Sequence, residues 1–465
     1  MKFGALLLFA GLQVALVHGD IIKVHHAHGN NHARMAKRQA SASGSSSGSA
    51  SRSASGSASG SQAASGSGTS AASRTPPPLD TSTTIPPVAS ISLGMPTKAP
   101  PSYTASFAPG ATPPIAGAPK IPKALVKTGW PPADKVPDPS SPEVQEWMKE
   151  LEGFTIPNIP PTKDGSCAGD PTAASQAKQH GWWTCGGWTR DTDIAACPDK
   201  LDWGLTFDDG PSFYTPNLLK KLKATGVKAS FYAVGSRTIE RPDMLIDEYM
   251  SGHEVGVHTW SHPSLTMLTT EQIVAELGWT RKAIKTILGV TPVTMRPPRG
   301  DIDDRVRAIS LAMGLVPVLW TSTADGGKFD SNDWRVAGGE FPGQKSVDIY
   351  NDIMKNASII PTGFVTLQHD LFEITVDLAV GYTLDSALSH TPKFALQPVG
   401  HCQKWDATEL YRETRKNTSF PYTNTSRGAS IDIDGDGQMD AALGFGVPLW
   451  TSLLALTSVL YAVSL

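Results

Sequence analysis

Two adjacent carboxylates, Asp208 and Asp209, close a short apolar run, and two imidazoles, His258 and His262, stand four apart further along the chain. One carboxylate with two imidazoles makes an open metal site, because three protein ligands leave a coordination position for water. The other carboxylate of the pair then has a separate task, accepting a proton from water whose pKa a metal lowers. Hydrolysis also needs an acid for the leaving group. His369, late in the chain, suits that role, and read alone it equally suits a core histidine bonded to backbone. An isolated H-x-x-x-H pair is a weak signal, and no Glu follows His258, so the H-E-x-x-H pattern of zinc peptidases is absent. Arg296 and the run Asp330–Asp333 carry further charge.

The elements that must position these groups alternate between strand and helix signals from about Cys197 to Cys402. Trp203–Phe207 reads as a short buried strand. Thr215 caps a helix, with Pro216 at its first position and Gly226 at its end. Ala229–Val234 and Glu254–Thr259 read as strands. Thr269 with Gln272 forms a capping box for a helix whose Ile273, Leu277, Ile284, Ile287 and Leu288 recur at helical spacing until Gly289. Val293–Arg296 is extended, Asp304–Met313 helical, and Val316–Thr321 and Phe364–Leu367 extended again. Such alternation predicts an α/β fold with a parallel sheet, open or closed into a barrel. The ionisable residues follow five separate strand ends, which is where barrel enzymes place their chemistry.

In order, Thr206-Phe-Asp-Asp-Gly-Pro-Ser212, His258-Thr-Trp-Ser-His262, Arg296-Pro-Pro-Arg-Gly-Asp301, Asp330-Ser-Asn-Asp-Trp334 and Leu367-Gln-His369 resemble the five motifs of the polysaccharide deacetylases, carbohydrate esterase family four. The resemblance spans about Cys197 to Phe394. The segment Cys197-Pro-Asp-Lys-Leu-Asp-Trp-Gly, with the layout of stalk and tail, is most similar to fungal GPI-anchored chitin deacetylases. This likeness implies a distorted (β/α) barrel and a divalent metal, Zn2+ first and Co2+ as the alternative, held by Asp209, His258 and His262. It implies that Asp208 is the general base, held and kept ionised by Arg296. His369 would be the general acid, oriented by Asp333. Trp334 and Leu367 would wall the pocket for the acetyl methyl, and the backbone N–H of Arg299 would stabilise the oxyanion. Arg299 stands where the family usually carries tyrosine, which sets a cation in place of an aromatic wall. The implied activity is hydrolysis of N-acetyl groups from the N-acetylglucosamine units of chitin, giving chitosan and acetate. Two alternatives are an O-acetyl esterase acting on another wall polysaccharide and a wall-binding glycoprotein with weakened catalysis, which Arg299 alone favours.

The flanks read differently. Residues 1–19 resemble a secretory signal, and 20–38, with His25, His26, His28 and His32 before Lys37–Arg38, a prosegment. Residues 39–140, rich in Ser, Ala and Gly and then in Pro, are expected to be a disordered stalk. Residues 141–196 form a pre-domain segment, 197–402 the deacetylase domain, and 403–440 a glycosylated linker. Residues 441–465 carry no charge and read as an anchor signal, with Ser426, Gly428, Ser430 and Asp440 as candidate attachment sites. Sequons at Asn356, Asn417 and Asn424 fit the secretory route. Four cysteines allow three pairings; their positions suggest Cys167–Cys185 and Cys197–Cys402. Trp182, Trp183 and Trp188 could stack on sugar rings or pack around the Cys167–Cys185 loop. The expected protein is a monomer at the cell surface, lipid-anchored at the plasma membrane or wall. Its formal charge of −3 gives no sign of a nucleic-acid partner.

Overall fold

The run expected as one strand over Trp203–Phe207 is divided in the computed structural model. Strand β1 (Asp202–Gly204) and β2 (Thr206–Asp208) join different ladders. Leu205 lies between them, donating its N–H to the carbonyl of Gln397 and accepting from the N–H of Ser230. The structure describes residues 84–95, 103–126, 128–323 and 327–417. The signal, the prosegment, the Ser-rich part of the stalk, Asn424, the attachment candidates Ser426, Gly428, Ser430 and Asp440, and the apolar tail lie outside the described residues. Among the described residues no helix is long and apolar enough to cross a membrane.

From β2 a parallel ladder runs through β3 (Ser230–Ala233), β4 (Glu254–Val257), β5 (Thr294–Met295) and β6 (Val316–Pro317). A second parallel ladder has β1 between β7 (Phe364–Val365) and β8 (Ala395–Gln397). Hydrogen bonds link the two. Thr321, beyond β6, donates its N–H to the Val365 carbonyl at 3.0 Å, and Asp208 donates its N–H to that of Gln368 at 2.9 Å. Hydrogen bonding therefore passes from β2 round to β6, on to β7 and back to β2, the path of a distorted barrel. Residues of β2, β3 and β4 are buried without alternation, as parallel strands covered on both faces require.

Crossovers pack around the strands, and α1 (Pro142–Met148) precedes them. Helix α2 (Thr215–Thr225) starts one residue away from the expected cap: Tyr214 is the N-cap. Thr215 instead accepts the Ser212 N–H and donates its hydroxyl to Asp370. Helix α3 (Thr270–Leu288) has the expected capping box, and Gly289, at φ +81°, closes it in a left-handed turn that glycine adopts without strain. Its Ile273, Leu277, Ile284, Ile287 and Leu288 are all buried, each stabilising the fold by roughly 1.5–3 kcal/mol. Helices α4 (Asp304–Ala312), α5 (Asp333–Ala337) and α6 (Gly343–Ala357) follow.

Both disulfides form as suggested, Cys167–Cys185 and Cys197–Cys402. The second ties the chain before β1 to the chain after β8.

Described residues of the segment expected as a stalk, 39–140, are packed against the folded region instead of standing free of it. Ile91 and Ile121 are buried at 0% and 1% exposure, and the Ser106 N–H bonds to the carboxylate of Asp247. Trp130 stacks on Trp260 with ring centroids 6.1 Å apart. A Pro-rich segment cannot build its own core, but a few large side chains suffice when grooves on a folded body await them.

Candidate active site

Strand β2 delivers Asp208 at its last residue, and the chain then turns through Asp209 at φ 76°. Eight non-glycine residues among those described have positive φ, and Asp209, Thr259, His262, Arg299 and Asn332 all belong to the motif segments. Backbone of this kind costs roughly 1–3 kcal/mol per residue and gathers where geometry serves chemistry.

The three expected metal ligands meet. The Oδ1 atom of Asp209 lies 3.3 Å from His258 Nε2 and 3.1 Å from His262 Nε2, and all three side chains are buried. Together they form a group able to hold a metal ion, with one ligand atom from each within 4.8 Å of the others. His258 is oriented from behind: its Nδ1 lies 2.7 Å from the carbonyl of Arg296, which only accepts. That nitrogen therefore carries a proton, and Nε2 is the ring atom turned toward Asp209. Burial pushes His262 down to about 4, with His258 and Arg299 adding to the effect against the opposing pull of Asp209. The ring is neutral at physiological pH, so its contact with Asp209 is a convergence of ligands and not an ion pair.

Asp208 sits beside this group, its Oδ2 4.0 Å from His258 Nε2. Fully buried Arg296 reaches its Oδ1 at 3.0 Å and Thr206 Oγ1 at 2.6 Å, and its guanidinium lies 4.5 Å over the Tyr232 ring. Next to Asp208, across a parallel bridge, stands His369. Asp333 holds His369 twice, taking the ring Nδ1–H on Oδ1 at 2.7 Å and the backbone N–H on Oδ2 at 2.9 Å. Burial works against charge on His369 but is outweighed by Asp333, with Asp209 and Asp208 adding to it, and the ring is raised to about 10.

Trp334 is half-buried, and its indole N–H points to Asp330 Oδ2 at 3.3 Å. Leu367 is bridged to Asp330 and is 6% exposed, so the two expected pocket walls come from neighbouring segments. Arg299 turns at φ 61° and donates from Nη1 to Ser264 Oγ at 2.9 Å. Burial lowers its pKa, against Asp301 and Asp209. Asn356 and Asn417 are exposed.

Other residues of the site escaped sequence reasoning. Buried Asp301 accepts from Trp182 Nε1, Thr184 Oγ1 and both the N–H and hydroxyl of Thr266, which locks the Cys167–Cys185 loop against the Arg299 turn. Trp182 is thereby committed, and Trp183 packs edge-on to Trp320 at 4.5 Å; neither is placed to stack on a sugar. Asp370, pushed up to about 7 mainly by burial, accepts from Thr215. Only its position after His369 hinted at a role. A cleft of about 460 Å³ framed by Trp147, Arg281 and Arg412 shares no residue with this cluster.

Residues 195–318 match the polysaccharide deacetylase family. That span holds the acid pair at 208–209, both histidines, Arg296 and Arg299, and it ends before Asp333 and His369. Over 350 residues the chain is 46% identical to chitin deacetylase 1 of Cryptococcus neoformans var. grubii, covering 74% of each protein. It is 33% identical over 276 residues to chitin deacetylase 2 of the same fungus, covering 56% of each. Against the solved chitin deacetylase of Colletotrichum lindemuthianum the identity is 24% and the TM-score 0.41, over 49% of this chain and 99% of that one.

Proposed function

Because this chain belongs to the polysaccharide deacetylase family, we propose that it hydrolyses the N-acetyl groups of chitin, with zinc as its metal and chitosan and acetate as products. One observation carries the reading: Asp209 lies 3.3 and 3.1 Å from His258 and His262, with one ligand atom of each within 4.8 Å of the others, beside a carboxylate held by an arginine and a histidine held by an aspartate. The donor set fits a divalent cation that accepts nitrogen and oxygen, zinc foremost and cobalt next, since both imidazoles offer Nε2 lone pairs from a buried position.

A divalent ion held by Asp209, His258 and His262 would supply Lewis acidity to the acetyl carbonyl and would lower the pKa of water. Asp208, paired with Arg296, accepts the proton of the attacking water. The main-chain N–H of Arg299 donates to the oxygen that gains charge as the carbonyl carbon becomes tetrahedral. His369 enters with its proton in place and gives it to the amide nitrogen as the C–N bond breaks, leaving a free sugar amine and acetate. Asp333 keeps that ring both oriented and charged. Trp334 and Leu367 receive the methyl group.

The two disulfides and the exposed sequons Asn356 and Asn417 support an extracytoplasmic setting. Within that setting, we propose a monomer at the cell surface under a lipid anchor, which release from membranes by a GPI-specific phospholipase would test.

Acetate release from chitin oligomers tests the activity. Release that is abolished by a chelator and restored by zinc supports the proposal. Activity confined to O-acetylated polysaccharide would replace it with an esterase, and no release by metal-loaded protein would leave a binding glycoprotein.

A further inference from the structure

We infer that Glu276, on α3 and outside every motif of the site, is the positioning residue that sets the loop carrying both histidine ligands; the inference rests on the metal reading above. The loop from His258 to His262 has two residues in left-handed conformation, Thr259 at φ 64° and His262 at φ 63°. Left to itself, such a turn would relax, and His258 and His262 would cease to face the same point. Glu276, 0% exposed, meets the loop's inner side. One carboxylate oxygen accepts the backbone N–H of Trp260 at 2.7 Å and that of Ser261 at 2.9 Å; the other accepts the Ser261 hydroxyl at 2.5 Å. Among the described residues no Lys, Arg or His lies within ion-pair distance of Glu276. A buried carboxyl group with no cation, and with Thr259, Trp260 and Ser261 of the loop as its hydrogen-bond partners, is spent on the shape of that loop.

The opposite edge is pinned too. The Thr259 and Trp260 carbonyls accept the N–H groups of Gly235 and Ser236 at 2.9 and 3.2 Å. A Cβ at Gly235 would lie 2.7 Å from the Trp260 ring, so that approach requires glycine. Outside, the Trp260 indole donates to the Pro132 carbonyl at 3.0 Å. The loop thus has carbonyls held on one side, a ring held on another, and its two inward amides held by Glu276 alone.

The test is zinc affinity, by competition with a chromophoric chelator, together with the rise in melting temperature on adding zinc. Glu276→Leu keeps the bulk and loses the acceptors; it should weaken zinc binding by roughly ten- to a hundredfold, the usual range for groups that orient ligands. Glu276→Gln keeps an acceptor in place and should recover most of that loss, which a purely space-filling role would not predict. Folded Glu276→Leu protein binding zinc within twofold of wild type would overturn the inference. Should Glu276→Leu not fold, Ser261→Ala decides: weaker binding, by about threefold, supports it and unchanged binding overturns it. Wild-type protein that binds no zinc would instead sink the metal reading and this inference with it.

Discussion

Replacing Asp333 with Asn separates the charge on this side chain from its shape. In the wild type, His369 is raised from 6.5 to about 10, a gap worth roughly 5 kcal/mol in favour of the protonated ring. Asp333 is the chief source, since burial pulls the other way. An amide can still accept the ring N–H at 2.7 Å but offers no charge. In Asp333→Asn the ring should therefore fall toward 6.5, because only Asp209 and Asp208 are left to oppose burial. A group at 6.5 is protonated in only about 3% of molecules at pH 8. The rate of acetate release at pH 8 should drop toward about 3% of its plateau on the acid side, while the wild type holds its rate until the pH nears 10. The same shift has a stability signature. A raised histidine contributes fully below its unfolded value of 6.5 and loses that contribution as pH climbs through about 10. Melting temperature should consequently fall between those limits in the wild type and stay flatter in the variant. A pH–rate profile for Asp333→Asn whose alkaline limb coincides with the wild-type limb would refute the assignment of His369 as acid.

Asp208→Asn should lower kcat by roughly 10²- to 10⁴-fold, and full activity would show that another group is the base. The same change leaves buried Arg296 without its carboxylate and should cost about 3 kcal/mol in denaturant unfolding. Arg299→Tyr should keep acetate release within about tenfold, because the proposed donor is main-chain; a loss beyond a hundredfold would bring the guanidinium into the chemistry. Ile121→Ala should destabilise by about 2–5 kcal/mol, as for any fully buried isoleucine, whereas a residue in a solvated stalk would register nothing.

Much of the site was legible because its signals are local. An apolar strand ending in two carboxylates, a pair of histidines four apart and a threonine–glutamine box each declare themselves within a few residues. The pairings that escaped are long-range. Trp182 and Asp301 are 119 residues apart, so nothing near either one announces their hydrogen bond. Glu276 sits in α3 as one more polar residue of an amphipathic pattern, and only the folded chain sets it against Ser261. Strand β8 is three residues long with no buried position, which leaves no alternation to read. Thr215 misled for a physical reason: its hydroxyl serves Ser212 and Asp370 in place of its own helix. The Pro-rich segment misled because composition measures what a stretch can bury alone, and Trp130 and Ile121 bury themselves against the rest of the molecule.

Anomalous diffraction at the zinc edge, from crystals of zinc-loaded protein, bears most directly on the account. A single strong peak about 2.0–2.2 Å from an Asp209 oxygen and from Nε2 of both His258 and His262 is the predicted result. A peak at other residues in protein that releases acetate, or no peak at all, would contradict it.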